Sequence, residues 1–555
     1  MGGTIRFITA DPDLERLRVR GAAGYSTTEG GENNHYTDLA VSVPIIENVL
    51  AVRAVASQEI LGGYAESPSF PGDLNDGDIQ NYRFKVLATP TDDLTLRLGY
   101  HRSDIADDWG RNLATTDPAA FPAYTIPPGF QRPGRNHQVF DMYTAYVGYD
   151  LGPVLIESST GYVDRTDEAT GPIALGPSVF RLDVLGESTS LVQELRIVSQ
   201  LETPLEWVAG VIYQEAENLE DIVVPFGPPI SAVSIYNSES YAVFGEVSYG
   251  LMGGRLRPLL GLRYFEDTRS FFTQSRAPFV TPPYTDEETF SSLSPRFNLS
   301  FEIDEDHLVY LNVARGYRSG TFNTAAAVAA SGGTVPFTVD PDDIWSYEIG
   351  GKFHLSDQLY MEAALYYYDW ADVQLNYTIG GGVQVIRNAG DVAGQGIDLS
   401  MTWRPIEGLT LQGAANLNAT EFVSIINPAV FASTPHIAEG NQLASVPVST
   451  YSFDATYTRP IGANFELFMN ASYTFISEQG DPGDDPPPPG PAGGPGRMGD
   501  EHELLRARLG FERGPIGVYL FGDNLLDDSG PIQVSGSGRS RYYPRVVGVE
   551  LAWDF

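Results

Sequence analysis

Apolar and polar residues take turns along segment after segment of this chain. Val309, Leu311 and Val313 are apolar, while Tyr310, Asn312 and Ala314 between them are small or polar, the period of two that an extended strand imposes on its faces. At the far end Val547, Val549, Leu551, Trp553 and Phe555 share one face, and Gly548, Glu550, Ala552 and Asp554 share the other. A strand buried on both sides would not carry that polar row. The pattern calls for a sheet with one apolar and one wet face.

A second alternation lies in the connections. Counting from Arg16, about 22 strand-like segments follow one another, and their joints are short and long by turns. Thr91-Asp92-Asp93, Leu151-Gly152-Pro153, Glu202-Thr203-Pro204, Met252-Gly253-Gly254, Asp304-Glu305-Asp306, Ser356-Asp357, Ile406-Glu407-Gly408, Ile461-Gly462-Ala463 and Arg513-Gly514-Pro515 carry turn chemistry and each closes a hairpin. Between hairpins lie stretches rich in Gly, Pro, Asp, Ser and Thr, at 104–136, 166–187, 218–235, 269–288, 319–342, 422–445 and 476–499. These read as long irregular loops, all on one side of the sheet.

Short turns on one edge and long loops on the other are the asymmetry of outer-membrane barrels. The expected fold is therefore all-β, a transmembrane antiparallel β-barrel of about 22 strands with short periplasmic turns and long extracellular loops. Roughly 25 residues per strand and connection leave room for the ~9 to 11 membrane-embedded residues of a tilted strand. Closure removes the unpaired edge that hydrocarbon would punish, and an even strand count puts both ends in the periplasm.

Composition excludes several other classes. The formal charge of −38, from 72 acidic against 34 basic residues, rules against sequence-independent binding of nucleic acid. With no cysteine there is neither a disulfide framework nor a thiolate nucleophile or metal site. No run approaches the ~18 apolar residues of a membrane helix; the longest candidate, Ala325 to Ala330, reads as a small-residue loop. Met1-Gly-Gly-Thr-Ile-Arg-Phe7 has neither the basic start nor the apolar core of a secretory signal, so export is expected to need an upstream segment.

Several segments, in order, resemble TonB-dependent outer-membrane receptors of the siderophore-receptor type. They are Val192-Gln-Glu-Leu-Arg-Ile197, Leu293-Ser-Pro-Arg-Phe297, Ala314-Arg-Gly-Tyr-Arg-Ser-Gly-Thr-Phe-Asn323, Trp345-Ser-Tyr-Glu-Ile-Gly350, Asn388-Ala-Gly390 with Gly396-Ile-Asp-Leu399, and Asp523-Asn-Leu-Leu-Asp527 with the terminal run from Pro544 to Phe555. Gly2-Gly3-Thr4-Ile5-Arg6-Phe7-Ile8-Thr9 resembles the last strand of that family's plug. The resemblance implies a plug remnant at 1–13, a receptor barrel at 14–555, and a location in the outer membrane of a Gram-negative bacterium. It implies import of a scarce nutrient such as a ferric siderophore, with cobalamin, haem or a glycan as alternatives. Energy would come from TonB through a plug that is largely missing here, so an ungated passive pore is the competing reading. The implied partners are outer-membrane lipid and lipopolysaccharide, a small-molecule ligand, TonB through that plug, and the barrel assembly machinery, for which Phe555 stands where the family carries part of its signal.

No catalytic or metal motif emerges, and neither an enzyme nor a cofactor is expected. His502-Glu503-Leu-Leu-Arg506 lacks the second histidine of a zinc-protease helix, and Asp73-Leu-Asn-Asp-Gly-Asp78 is one residue out of register for a calcium loop. The connection bearing Trp109, Arg111, Phe121, Tyr124, Phe130, Arg132 and Arg135 is a candidate ligand contact, since aromatic faces with guanidinium forks can hold an anionic organic chelate. The alternative is that these aromatics pack the loop or sit at the lipopolysaccharide interface. Arg318 takes lumen-facing parity if Val309, Leu311 and Val313 meet lipid, because a cation at mid-depth on the lipid face costs roughly 2–4 kcal/mol. Arg315 then points outward and belongs near the rim, and both arginines read as structural.

Overall fold

The computed structural model describes residues 8–67, 70–108, 134–175, 178–201, 203–224, 230–275, 281–379, 383–431, 437–443, 446–479, 497–498, 500–535 and 538–555. Within them one 22-stranded sheet runs antiparallel from neighbour to neighbour, and its first strand, Arg18–Thr28, pairs with its last, Val546–Asp554. That pairing makes the sheet a barrel. Tyr25 stands opposite Val549, and Val19 and Phe555 exchange both of their N–H···O bonds at 2.8 Å. Every barrel strand therefore has a neighbour on each side, the condition for placing a sheet in hydrocarbon.

The outer face is apolar in rows that cross strand after strand. Tyr25 faces Val549, Val549 faces Leu520, Leu520 faces Leu509, and Leu509 faces Met469. Leu520 is 58% exposed and Val549 48% exposed, which would be costly in water. In lipid it costs nothing. Tyr100, Tyr143 and Tyr162 lie side by side on the same face, with ring centroids 5.1 and 6.3 Å apart. Just beyond them Arg102 pairs with Asp141 at 2.7 Å. Amphipathic rings followed by charge mark the upper interface of the membrane.

One rim carries the short turns, and glycines take the left-handed conformation there: Gly152 at φ 84°, Gly408 at 79° and Gly514 at 57°, which costs glycine nothing. Another turn, Glu47-Asn48-Val49 between the strands Asn33–Ile46 and Leu50–Leu61, was not among those singled out in the sequence, since Asn48 is its lone turn-forming residue. Asn48 supplies the positive φ of 59° instead.

The other rim differs from expectation. The strands Val154–Leu175 and Ser178–Ser199 stay paired from Val154↔Ser199 to Leu175↔Ser178. Much of 166–187 is thus ladder and not irregular loop. The same holds for parts of 218–235 and 269–288, which belong to the strands Leu205–Val224, Ile230–Tyr249, Leu256–Ser275 and Tyr284–Glu302. Above the hydrocarbon both faces meet water, so the alternation fades while the backbone pairing continues. Ala325–Ala330 is an α-helix and not a loop: alanine is the best helix former, and Thr324 caps the N-terminus by accepting from Ala327 N–H at 3.1 Å.

Candidate functional site

The two strands that pair at Asn298 and Asn312 separate toward the long-loop rim. Pairing between Tyr284–Glu302 and His307–Arg318 ends at Arg296↔Ala314, and one residue further Arg315 donates to the Leu293 carbonyl at 3.0 Å across the parting. Arg315 is also held by Asp343, with two bonds of 3.2 and 3.3 Å. The carbonyl and the guanidinium satisfy each other where the ladder stops.

The gap is filled from inside. Phe322, 2% exposed, stacks on Phe271 with centroids 5.2 Å apart, and Phe337 stacks on Tyr284 at 3.7 Å. Phe271 has the parity opposite to that of Leu260, Leu262 and Tyr264, the exposed residues of its strand. The segment after Arg318 therefore folds onto the inner wall of the mouth. The helix follows it, its Ala325 N–H donating to Thr273 Oγ1 at 3.3 Å.

Side-chain amides then lock this segment to a hairpin made by Gln374–Ile379 and Val383–Asn388. Asn323 donates to the carbonyls of Pro336 and Ile386 at 2.9 and 2.8 Å and accepts from Ile386 N–H at 2.8 Å. Gln374 donates to the carbonyls of Ser319 and Asp340 at 3.0 and 2.9 Å. Asn388 donates to those of Asp340 and Asp372 and accepts from Asp340 N–H. Primary amides suit the task because each offers donors and an acceptor at one site. Apolar packing completes the lobe: Val373, Ala389, Val392, Phe422, Phe431 and Ile437 form one cluster, and Ala327, Val335 and Val385 another.

Charge is concentrated at the base of this lobe. Arg318 is bonded to both carboxylate oxygens of Asp342, donates to the Gln374 carbonyl at 3.0 Å, and lies 5.5 Å over the Trp370 ring. Asp342 also accepts from Gln374 N–H at 2.9 Å. Asp372, in the adjoining loop, has its carboxyl pushed up by partial desolvation and by the facing carboxylates of Asp391, Asp340, Asp343 and Asp342. A second network lies lower on the wall, where Glu157 accepts from Arg196 at 2.6 Å and Tyr146 at 2.8 Å, with Arg97 4.8 Å over the Tyr146 ring. Arg97 and Lys85 both reach Asp11, at 3.1 and 3.2 Å, and Lys85 donates to the Thr9 carbonyl at 2.8 Å. The chain leading into the first strand is thereby pinned to the inner wall.

Of the residues singled out by sequence, Trp109, Arg111, Phe121, Tyr124, Phe130 and Arg132 lie outside the described residues. Arg135 opens the strand Arg135–Asp150, opposite Asp108 on one side and Thr170 on the other, and is exposed. Phe555 is exposed at the seam. Asp78 is the second residue of the barrel strand Gly77–Thr91 and accepts from Gln58 at 3.1 Å. Sequence reasoning missed the amide clamps, although Asn323 ended one of the quoted motifs and Asn388 opened another. Their signal was an amide residue beside a strand end, too common to single out unaided.

The family model described as "TonB dependent receptor-like, beta-barrel" matches residues 64–496. The pesticin receptor of Yersinia enterocolitica is 24% identical over 243 residues, which are 42% of this chain. The match spans only 34% of that receptor's length. Among solved structures, the ferric yersiniabactin uptake receptor FyuA of Yersinia pestis superimposes with a TM-score of 0.82 at 17% identity, covering 99% of this chain and 81% of that one. The siderophore receptor PiuA of Acinetobacter baumannii gives 0.74 at 12% identity, covering 98% and 82%. At these identities the likeness is one of fold.

Proposed function

The chain belongs to the TonB-dependent receptor-like β-barrel family, and on that premise we propose that it forms the wall of an importer for a scarce nutrient such as a ferric siderophore, driven through TonB acting on a plug in the lumen. Barrels of this family sit in the Gram-negative outer membrane, with short turns in the periplasm and long loops outside. One observation carries the proposal beyond the family: the lobe of residues 319–341, 372–379 and 383–390 is folded onto the inner wall and locked by Asn323, Gln374 and Asn388. A passive pore works best with an open mouth. A mouth narrowed by a built structure suits a protein that binds its cargo before passing it.

The matched receptors are named for pesticin and for siderophores, which makes an iron chelate the first ligand to test. The pinned Ile8–Asp13 segment fits the end of a plug leading into the first strand. Trp109, Arg111, Phe121, Tyr124, Arg132 and Arg135 are proposed to meet the ligand from an extracellular loop, on the strength of their stacking and fork chemistry. Replacing Trp109 and Arg111 by alanine is expected to weaken ligand binding, and unchanged binding would remove them from the site.

The direct test is uptake of iron-55 siderophores by cells carrying the native gene, with and without TonB. Uptake that requires TonB supports the proposal. Equal uptake in both backgrounds would make the chain a passive pore, and no uptake of any chelate would remove siderophores from consideration.

A further inference from the structure

Arg20, Arg53 and Arg83 reach into the lumen from three neighbouring strands, Arg18–Thr28, Leu50–Leu61 and Gly77–Thr91, the last two paired with each other and the first reached through Asn33–Ile46. Their parity is opposite to that of Tyr25 and Phe84, which are exposed to lipid. Register sets Arg53 directly across from Lys85, and Arg83 across from Val55 on one side and His101 on the other. With Asp38 these cations line a cavity of about 370 Å³ just above the Glu47-Asn48-Val49 turn.

This arrangement is costly as it stands. Like charges facing across a ladder repel, and several other arginines of the described wall avoid the situation. Arg97, Arg196, Arg269, Arg318 and Arg508 each hold a carboxylate. Among the described residues Arg20, Arg53 and Arg83 have no ion pair within 4 Å. Lys85 is already committed to Asp11, which leaves Asp38 as the lone carboxylate among the described residues lining the cavity. The buried Nε2 of His101, beside Arg83, also has no partner among the described residues. In a chain of net charge −38, three guanidinium forks around one cavity, without an ion pair among the described residues, suit planar oxyanions.

We propose that Arg20, Arg53 and Arg83 form an oxyanion site on the periplasmic half of the lumen wall, taking a group with two or more carboxylates or a phosphate. The same chemistry is offered by a free di- or tricarboxylate or phosphate passing toward the periplasm and by acidic side chains of a polypeptide lodged in the lumen. Both would place negative oxygens between Arg53 and Arg83.

The test is calorimetric titration of the purified full chain in detergent with citrate, with pyrophosphate and with a short glutamate-rich peptide, in the wild type and in an Arg53→Gln, Arg83→Gln double variant. Arg263→Gln, on the wall away from the cluster, is the control, and heat-modifiable electrophoretic mobility reports barrel folding. At least one anion is expected to bind, with a salt-sensitive affinity that falls about tenfold or more in the double variant and is unchanged in the control. Binding of citrate or pyrophosphate assigns the site to a free solute, and binding of the peptide alone assigns it to a polypeptide. If the double variant does not fold, Arg53→Lys keeps the charge, loses the fork, and is expected to weaken binding about threefold. Absence of binding by all three at millimolar concentration, or equal binding by the folded variants, overturns the proposal.

Discussion

Tyr36 donates a hydrogen bond to Glu550, a residue 514 positions away in sequence, across the seam where the first strands meet the last. Glu550 also accepts from Arg508, whose guanidinium lies 3.9 Å over the Tyr519 ring. The Tyr36 ring covers Gly24, its register partner, where a Cβ would collide with it. Backbone pairing closes the barrel, and this inward network fixes the register in which it closes.

Removing the Tyr36 hydroxyl as Tyr36→Phe is expected to lower barrel stability by about 0.5–1.5 kcal/mol, the ordinary worth of a hydrogen bond. Gly24→Ala, which displaces the ring, should cost about 1–3 kcal/mol. Urea unfolding in lipid vesicles measures both, and a Gly24→Ala variant as stable as wild type would show that the contact does not matter.

The lobe depends on Asn323, which satisfies both backbone groups of Ile386. Asn323→Ala leaves them unpaired at a cost of about 1–3 kcal/mol. Hydrogen exchange over 383–388 should accelerate by at least about tenfold, while the strands Val546–Asp554 and Arg18–Thr28 exchange as before.

Arg318 and Asp342 are unequal partners, since the Asp342 side chain is 3% exposed and that of Arg318 49%. Arg318→Ala strands a carboxylate in a dry site and should loosen the lobe by about 2–4 kcal/mol. Adding Asp342→Asn removes the stranded charge, so the double variant is expected to regain part of the loss. A double variant worse than the single one by the full cost of two independent changes would refute the coupling.

Asp372 gives the lobe a pH dependence of defined sign. Its folded value is raised above the unfolded one, so between the two the folded lobe holds the extra proton and stability falls as pH rises through that window. Above the window the full penalty remains. Asp372→Asn, which also suits the φ of 54° at this position, should slow hydrogen exchange of the adjoining hairpin at pH 7. The gain should shrink as pH falls through the carboxylate range and vanish below the unfolded value.

The barrel was legible because membrane strands obey a strict rule: at Val547, Val549 and Leu551 each apolar residue meets lipid, and at Gly548, Glu550 and Ala552 each small or polar one meets the lumen. The rule lapses above the membrane. There Val154–Leu175 and Ser178–Ser199 continue as paired strands through sequence that looks like loop, because water on both faces removes the pattern without removing the ladder. Arg318 could be assigned to the lumen from parity, but its partners Asp342 and Gln374 arrive from a strand and a hairpin that only the fold brings together. The cluster of Arg20, Arg53 and Arg83 was illegible for the same reason, as its members sit on separate strands.

Lipid and lumen exposure along one strand tests the closed membrane barrel most directly. The chain has no cysteine, so single cysteines at each position from Val547 to Trp553 can carry a nitroxide without background. Oxygen should collide preferentially with labels at 547, 549, 551 and 553, and a water-soluble nickel complex with those at 548, 550 and 552. Loss of that alternation, with nickel reaching every position alike, would contradict a strand standing between lipid and lumen.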